Sequence, residues 1–284
     1  MKEITLISGK GGTGKTSLAG SFAALSSKAI FTDCDVDAAN LSLILRPDIQ
    51  ETHEFIASKI ASIRKEDCNS CGLCLELCRF DAISDDYEVD PLSCEGCGFC
   101  YYACPEKAID YTDVVSGEWF ISHTPYGPLV HARLGVAEEN SGRLVTLVRA
   151  KAKEMGRDAD LELIITDGPP GIGCPVIASL AGATTALIVT EPSLSGVHDM
   201  ERVLAVCRHF KVSAGVCINR SDLDEESTQK IEKYCNEQAV PVVGKVPFDK
   251  AVTEAMVEGL SVVEYSDGKV SQSIKEIWDV ITKL

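Results

Sequence analysis

Ser8-Gly9-Lys10-Gly11-Gly12-Thr13-Gly14-Lys15-Thr16 decides how this chain reads, because it satisfies G-x-x-x-x-G-K-S/T with Gly9 and Gly14 as the outer glycines. Residues 1–8 form an apolar run (Ile4, Leu6, Ile7) suited to a buried strand, and residues 16–27 have the composition of a helix. Strand, glycine-rich turn and helix is the context a phosphate-binding loop needs. Glycines let backbone N–H groups turn inward around a β-phosphate, and the helix N-terminus adds its partial positive charge. Gly9 through Gly14, with Lys10 and Thr13 among them, would form the cradle. Lys15 would reach the β- and γ-phosphates, Thr16 would hold Mg²⁺, and Ser17 is placed for the α-phosphate. The stretch predicts a nucleotide site.

Composition bounds the rest. A chain of 284 residues is one large α/β domain plus something small, or two domains. Its net charge of −16 argues against a surface that coats DNA or anionic membrane. Residues 66–110 hold eleven acids and two bases, so more than half of the excess lies there. No apolar run approaches the roughly 18–20 residues of a membrane span. The N-terminus is already strand and phosphate loop, with no signal peptide, which leads us to expect a cytoplasmic protein. Thirteen cysteines in such a chain point to metal or redox chemistry, not to a disulfide framework.

Eight of those cysteines fall in two runs, Cys68-x-x-Cys71-x-x-Cys74-x-x-x-Cys78 and Cys94-x-x-Cys97-x-x-Cys100-x-x-x-Cys104-Pro105. The runs repeat at an offset of 26 and share a later Ala-Ile, Ala82-Ile83 and Ala108-Ile109. Zinc is the rival to a cluster, but it needs four ligands per ion and does not call for four-cysteine runs in tandem. The segment resembles a bacterial two-cluster ferredoxin. That resemblance implies two 4Fe–4S clusters, one on Cys68, Cys71, Cys74 and Cys104, the other on Cys78, Cys94, Cys97 and Cys100, each run lending its fourth thiolate to the other cluster. Arg79 stands where the ferredoxin pattern has proline.

Further strand ends carry acids. Asp33-Cys34-Asp35-Val36-Asp37 closes a second strand (28–32), and Asp37 suits an N-cap for a helix over 38–45. Leu161 to Asp167 is an apolar strand ending in an acid, followed by Gly168-Pro169-Pro170-Gly171, and an acid so placed acts on Mg²⁺ or its waters. Residues 53–64 read as a helix, and 119–121 and 129–131 as short strands around a Pro-Tyr-Gly-Pro turn. Asn140 and Ser141 read as the cap of the next helix. His123 and His131, without a partner at ligand spacing, read as strand side chains. Strand and helix then alternate, and the last helix, 269–284, carries Val270, Ile274, Ile277 and Ile281 on one core-facing stripe.

Lys10, directly after Gly9, gives the phosphate loop a second lysine. With it the chain resembles the deviant-loop ATPases of the MinD, Mrp and nitrogenase-iron-protein class over residues 1–63 and 113–284. The resemblance implies that Lys10 crosses a dimer interface to the nucleotide of the other subunit, that Asp35 positions the attacking water, and that Asp33 and Asp167 support Mg²⁺. It implies too that Asn219 pairs with adenine while Pro247 and Phe248 line the ring. Cys174, seven residues beyond Asp167, stands at an offset similar to that of a cluster-ligating cysteine in the nitrogenase iron protein, and is a candidate transfer site.

The expected architecture is a doubly wound, mainly parallel α/β sheet of the P-loop type, residues 1–63 and 113–284, with a ferredoxin module at 64–112 inserted in it. The expected cofactors are ATP, Mg²⁺ and two 4Fe–4S clusters. Two functions compete. In one, an ATP-dependent homodimer, or heterodimer with a paralogue, governs electron transfer or metallocofactor handling with a redox or metallocofactor protein as partner. In the other, a positioning or partitioning ATPase carries the ferredoxin as a redox sensor or docking module. Neither nucleic acid nor membrane is an expected partner; the chain ends without the basic amphipathic helix by which positioning ATPases hold membranes.

Overall fold

The computed structural model describes residues 1–135 and 141–284; the cap expected at Asn140 lies outside the described residues. β1 (Lys2–Ser8), α1 (Lys15–Leu25) and β2 (Ala29–Asp33) open the chain, followed by one helical turn, α2 (Ser42–Leu45), and a long strand, β3 (Asp48–Ile63). Next come α3 (Leu73–Leu77), α4 (Phe99–Ala103), β4 (Ile109–Thr124) and β5 (Gly127–Leu134). The remainder alternates: α5 (Ser141–Asp158), β6 (Leu163–Pro170), α6 (Cys174–Leu180), β7 (Thr185–Thr190), α7 (Leu194–His209), β8 (Ser213–Asn219), α8 (Glu225–Glu237) and β9 (Val242–Val246). Three helices close it, α9 (Ala251–Val257), α10 (Val262–Tyr265) and α11 (Lys269–Ile281). None of the described helices is long and apolar enough to cross a membrane.

Strands run in the order β3-β4-β5-β2-β6-β1-β7-β8-β9. β1 pairs in parallel with β6 and β7, β2 with β5 and β6, and β8 with β7 and β9. β4 and β5 are joined by two residues, Pro125 and Tyr126, a connection that only a hairpin permits. The sheet is therefore mainly parallel, as the sequence predicts.

Pleating sends alternate side chains to opposite faces. Ile4 and Leu6 enter one core with Leu18, Phe22, Phe31 and Ile277; Ile7 enters the other with Val176, Met200, Val203 and Ile231. α1 and α11 thus cover one face, and α6, α7 and α8 the other. The stripe on α11 is buried as its spacing predicts.

Compact packing divides the described chain into two units: Met1–Thr52, Trp119–Arg133 and Ser141–Leu284 in the larger; His53–Glu118 with Leu134 and Gly135 in the smaller. The chain leaves the larger unit within β3 and returns within β4. The smaller has only a slender core, Ala61, Cys74, Ile83 and Ile109, with Ile63, Val89 and several cysteines packed on it.

Two sequence expectations fail. Residues 53–64 are not a helix: 53–63 are the second part of β3, where Phe55 and Ala61 are buried and the intervening Ile56 and Ile60 are more open, and Arg64 follows the strand. Helix formers such as Glu54, Ala57 and Lys59 misled the reading, and pairing with β4 overrides them. Asp37 does not cap a helix over 38–45. That helix shrinks to α2, which has no side-chain cap, because residues 34–41 are held as a loop by Asp33.

His131 lies on β5 and His123 on β4. His131 Nε2 meets Ser122 Oγ at 2.9 Å and its ring stacks on Phe120. Burial depresses its pKa from 6.5 to about 4. A neutral buried histidine stabilises the fold fully above pH 6.5, and that stability is lost as pH falls from 6.5 toward 4, where the unfolded chain takes up the proton first. Urea titrations across this range should show wild type losing up to about 3 kcal/mol more than His131→Gln. Parallel profiles would contradict the account.

Candidate functional site

The site forms where the C-terminal ends of β1, β2 and β6 meet the N-terminus of α1, the place where open α/β sheets bind ligands. Gly12 and Gly14 have φ of 77° and 95°, values that favour glycine. A Cβ at Gly14 would also collide with the side-chain amide of Asn219. Lys15, 5% exposed, donates from Nζ to Ser8 Oγ at 2.8 Å. Burial lowers its pKa, while Asp167, Asp35 and Asp33 favour its charged form.

Asp33 and Asp167 lie side by side in the β2–β6 register. Asp33 accepts from the backbone N–H groups of Asp35 at 3.2 Å and Leu41 at 3.0 Å. Its carboxylate therefore ties down the loop that carries Asp35. Burial and the neighbouring Asp167 push its pKa well above the ordinary value. Both oxygens of Asp167 are buried without a hydrogen-bond partner. Burial raises its pKa to about 6, against the nearby Thr16 hydroxyl and Lys15. An orphaned buried carboxylate beside a threonine hydroxyl and a glycine cradle suits a divalent cation carrying phosphate. Asp35 is raised by burial and lowered by Lys15.

An open cleft of about 500 Å³ is lined by Gly11, Gly12, Gly14, Lys15, Thr16, Ser17, Asp35, Asp37 and the Pro169-Pro170 pair, with Arg220 and Met256 also in its lining. Asn219, Pro247 and Phe248 do not line it. Asn219 instead donates from Nδ2 to Thr13 O at 2.8 Å, pinning β8 to the phosphate loop, and half-exposed Phe248 donates its N–H to Asp222 at 2.7 Å. Met256, whose sulfur accepts from Ser17 Oγ at 3.4 Å, carried no signal in the sequence. Arg220 could have been suspected from its place beside Asn219.

Lys10 is engaged within its own chain. Its ammonium pairs with Glu191 at 2.5 Å and donates to Ser193 Oγ at 3.2 Å and Ser195 Oγ at 3.1 Å. Glu191 also binds Arg220 at 3.0 Å. The sequence reading missed this nest at the end of β7.

In the smaller unit the eight cysteines sort into the linings of two small cavities of about 20 Å³ each. Cys68, Cys71, Cys74 and Cys104 line one with Ile63, Leu73 and Ile109; Cys78, Cys94, Cys97 and Cys100 line the other with Ala61, Ile83 and Val89. All eight thiols are free. Four thiols around an apolar cavity form the donor set of a 4Fe–4S cubane, so the residues fit that group. No three His, Cys, Asp or Glu side chains among the described residues stand close enough to share a single ion. Of the other cysteines, Cys34, Cys207, Cys217 and Cys235 are core residues, with burial pushing Cys207 and Cys217 up to about 12. Cys174 is exposed at the start of α6.

Fold and cleft together define a P-loop nucleotide-binding protein. Residues 4–262 match the family described as the CobQ/CobB/MinD/ParA nucleotide binding domain, and the chain belongs to that family. It is 34% identical over 280 residues to Uncharacterized protein MJ0578 of Methanocaldococcus jannaschii, covering 98% of this chain and 95% of that one. A shorter match, 26% identical over 156 residues, covers 47% of this chain and 50% of a cytosolic Fe-S cluster assembly factor NUBP1 homolog from Brugia malayi. Among solved structures, the Mg-ADP complex of septum site-determining protein MinD from Pyrococcus horikoshii superposes with a TM-score of 0.61 at 20% identity, covering 98% of this chain and 94% of that one.

Proposed function

We propose that this chain is a Mg²⁺-dependent ATPase carrying two 4Fe–4S clusters, and that ATP-driven dimerisation controls electron transfer or metallocofactor handling with a redox or metallocofactor protein. The observation that carries the reading is the sorting of two cysteine quartets into two cavities, in a chain that also holds a complete phosphate-loop cleft. The partial likeness to an Fe–S assembly factor points the same way. The inserted module is assigned to residues 64–112, with the ATPase domain before and after it.

In this reading Lys15 draws charge from the β- and γ-phosphates, and Thr16 and Asp167 hold Mg²⁺, which neutralises charge on the phosphates. Asp35 orients the attacking water, and Asp33 keeps the Asp35 loop in place through its two backbone contacts. Arg220 and Met256, which line the cleft, would hold the base, and Asn219, Pro247 and Phe248, outside its lining, would reach the base only by moving from their present contacts. The cysteine quartets each hold a cluster, which supplies a one-electron redox centre. Cys174 is the thiol offered to a metal or cluster in transit.

Lys10 is the residue that makes the dimer. It leaves Glu191, Ser193 and Ser195 of its own chain and binds the phosphates held by its partner. Moving a monomer–dimer balance from 1:99 to 99:1 requires about 5.5 kcal/mol from ATP, and charge-assisted contacts of two lysines are of the kind that contribute to it. Lys10→Ala should lose ATP-stimulated dimerisation in light scattering, whereas Asp35→Ala should accumulate the ATP-bound dimer. Normal dimerisation and turnover by Lys10→Ala would sink the assignment.

A further inference from the structure

The two cysteine runs provide an internal comparison, because residues 26 apart hold equivalent places in the repeats. Around Cys74 the first repeat has Leu73, Leu75 and Glu76, and both leucines are partly covered. Their counterparts around Cys100 are Phe99, Tyr101 and Tyr102, which are 60%, 41% and 80% exposed. Phe80, 45% exposed, lines the second cavity, and Leu92, 84% exposed, precedes Cys94 by two residues. Five large apolar side chains are thus exposed close in the chain to the second quartet, with Phe80 in the wall of its cavity, whereas Leu73 and Leu75 of the first repeat are partly covered. Such a patch marks an interaction surface.

These rings are held in place. Tyr101 stacks on Tyr111 at 5.5 Å and meets Tyr102 edge-on at 5.1 Å, while the Tyr111 hydroxyl donates to Gly96 O in the wall of the second cavity. Exposed acids adjoin the patch in the chain: Asp81 follows Phe80, Asp90 precedes Leu92, and Glu95 lies between Cys94 and Cys97. An aromatic centre with an acidic border selects a partner with an apolar contact and a basic rim.

We propose that this face is the docking surface for a small one-electron carrier protein with a basic rim, seated over the cavity of Cys78, Cys94, Cys97 and Cys100. The proposal rests on the cluster reading above and adds a direction to it: exchange with the partner occurs at the second quartet, not the first. A single electron passes, the donor being oxidised as the acceptor is reduced, with no bond made or broken and no proton moved. The acids steer the encounter, and the rings supply the contact of a small, short-lived electron-transfer interface.

The test uses intact, anaerobically purified protein and cytochrome c, a basic one-electron carrier, as probe. Binding is read by calorimetry at low and high salt, with iron assayed on the same samples. Phe99→Leu, Tyr101→Leu and Tyr102→Glu together copy the first repeat onto the second. This variant should keep its iron and bind at least about tenfold more weakly. Leu75→Ala with Glu76→Ala, at the places in the first repeat equivalent to Tyr101 and Tyr102, should keep its iron and bind within about twofold of wild type, and high salt should weaken all binding. Iron-loaded wild type that does not bind the probe, or equal losses from the two variants, overturns the docking surface alone. Wild type without iron overturns the cluster reading, and this proposal with it.

Discussion

Lys15→Ala is expected to bring ATP turnover down by at least about a hundredfold at saturating nucleotide, the size of effect that follows loss of one preorganised charge at a transition state. Lys15 is the buried cation at the floor of the cleft, and its ammonium rests on Ser8 Oγ at 2.8 Å, fixed before any substrate arrives. Burial lowers its pKa, and Asp167, Asp35 and Asp33 offset part of that pull. Without it those carboxylates would face incoming phosphates with no counter-charge on this side of the loop. Lys15→Arg should not rescue, since a planar fork cannot occupy the place of a compact ammonium beneath the loop. Phosphate release under saturating Mg-ATP is the measurement. Turnover within tenfold of wild type would remove Lys15 from the phosphate site.

A second large effect lies on the far side of the sheet. Glu3, in β1, accepts from Arg149 Nε at 2.7 Å and pairs with Lys153 at 2.9 Å, and the side chains of Glu3 and Arg149 are only 3% and 5% exposed. Arg149 also donates to the carbonyls of Ala178 and Ala181 at the end of α6. One guanidinium therefore ties β1, α5 and the last turn of α6 together. Arg149→Ala leaves a buried carboxylate with only Lys153 and a 3.5 Å contact from the Thr166 hydroxyl, and strips the guanidinium donor from two carbonyls, a change that costs about 3–5 kcal/mol and lowers the melting temperature by about 10 °C in a domain of this size. Replacing both Glu3 and Arg149 with methionine should recover most of the loss, because no unpaired charge remains. Thermal melts followed by circular dichroism decide the matter. A single-variant cost under about 1 kcal/mol would mean that the pair is solvated.

How much of this was legible depends on how local each signal is. The phosphate loop is written in nine consecutive residues, and the acids of β2 and β6 stand at strand ends, so a strand-by-strand reading finds them. The eight cysteines stand out in the sequence through spacing and internal repetition, while the exchange of Cys78 and Cys104 between the two sets is what the resemblance to a two-cluster ferredoxin implies. What the sequence hid depends on residues brought together from far apart. Glu3 and Arg149 are separated by 146 positions, and nothing in either neighbourhood announces a buried pair. Met256 reaches Ser17 across 239 positions. The nest of Glu191, Ser193 and Ser195 that holds Lys10 belongs to the β7–α7 connection, where Ser193 also caps the helix by accepting from Gly196 N–H. β3 was misread because its second half is rich in helix formers, and only its neighbour in the sheet makes it a strand. Asp37 has the residue type of a cap, but Asp33 holds the loop open to Leu41 and moves the helix start beyond it.

The central claim, a phosphate-loop ATPase with two cubane sites in one chain, is tested most directly by counting iron and acid-labile sulfide in anaerobically purified protein, beside its rate of ATP hydrolysis. The account predicts about eight irons and eight sulfides per chain, four on each cysteine quartet, in protein that also hydrolyses ATP. Protein that hydrolyses ATP yet holds no iron, or holds two zinc ions in its place, would contradict it.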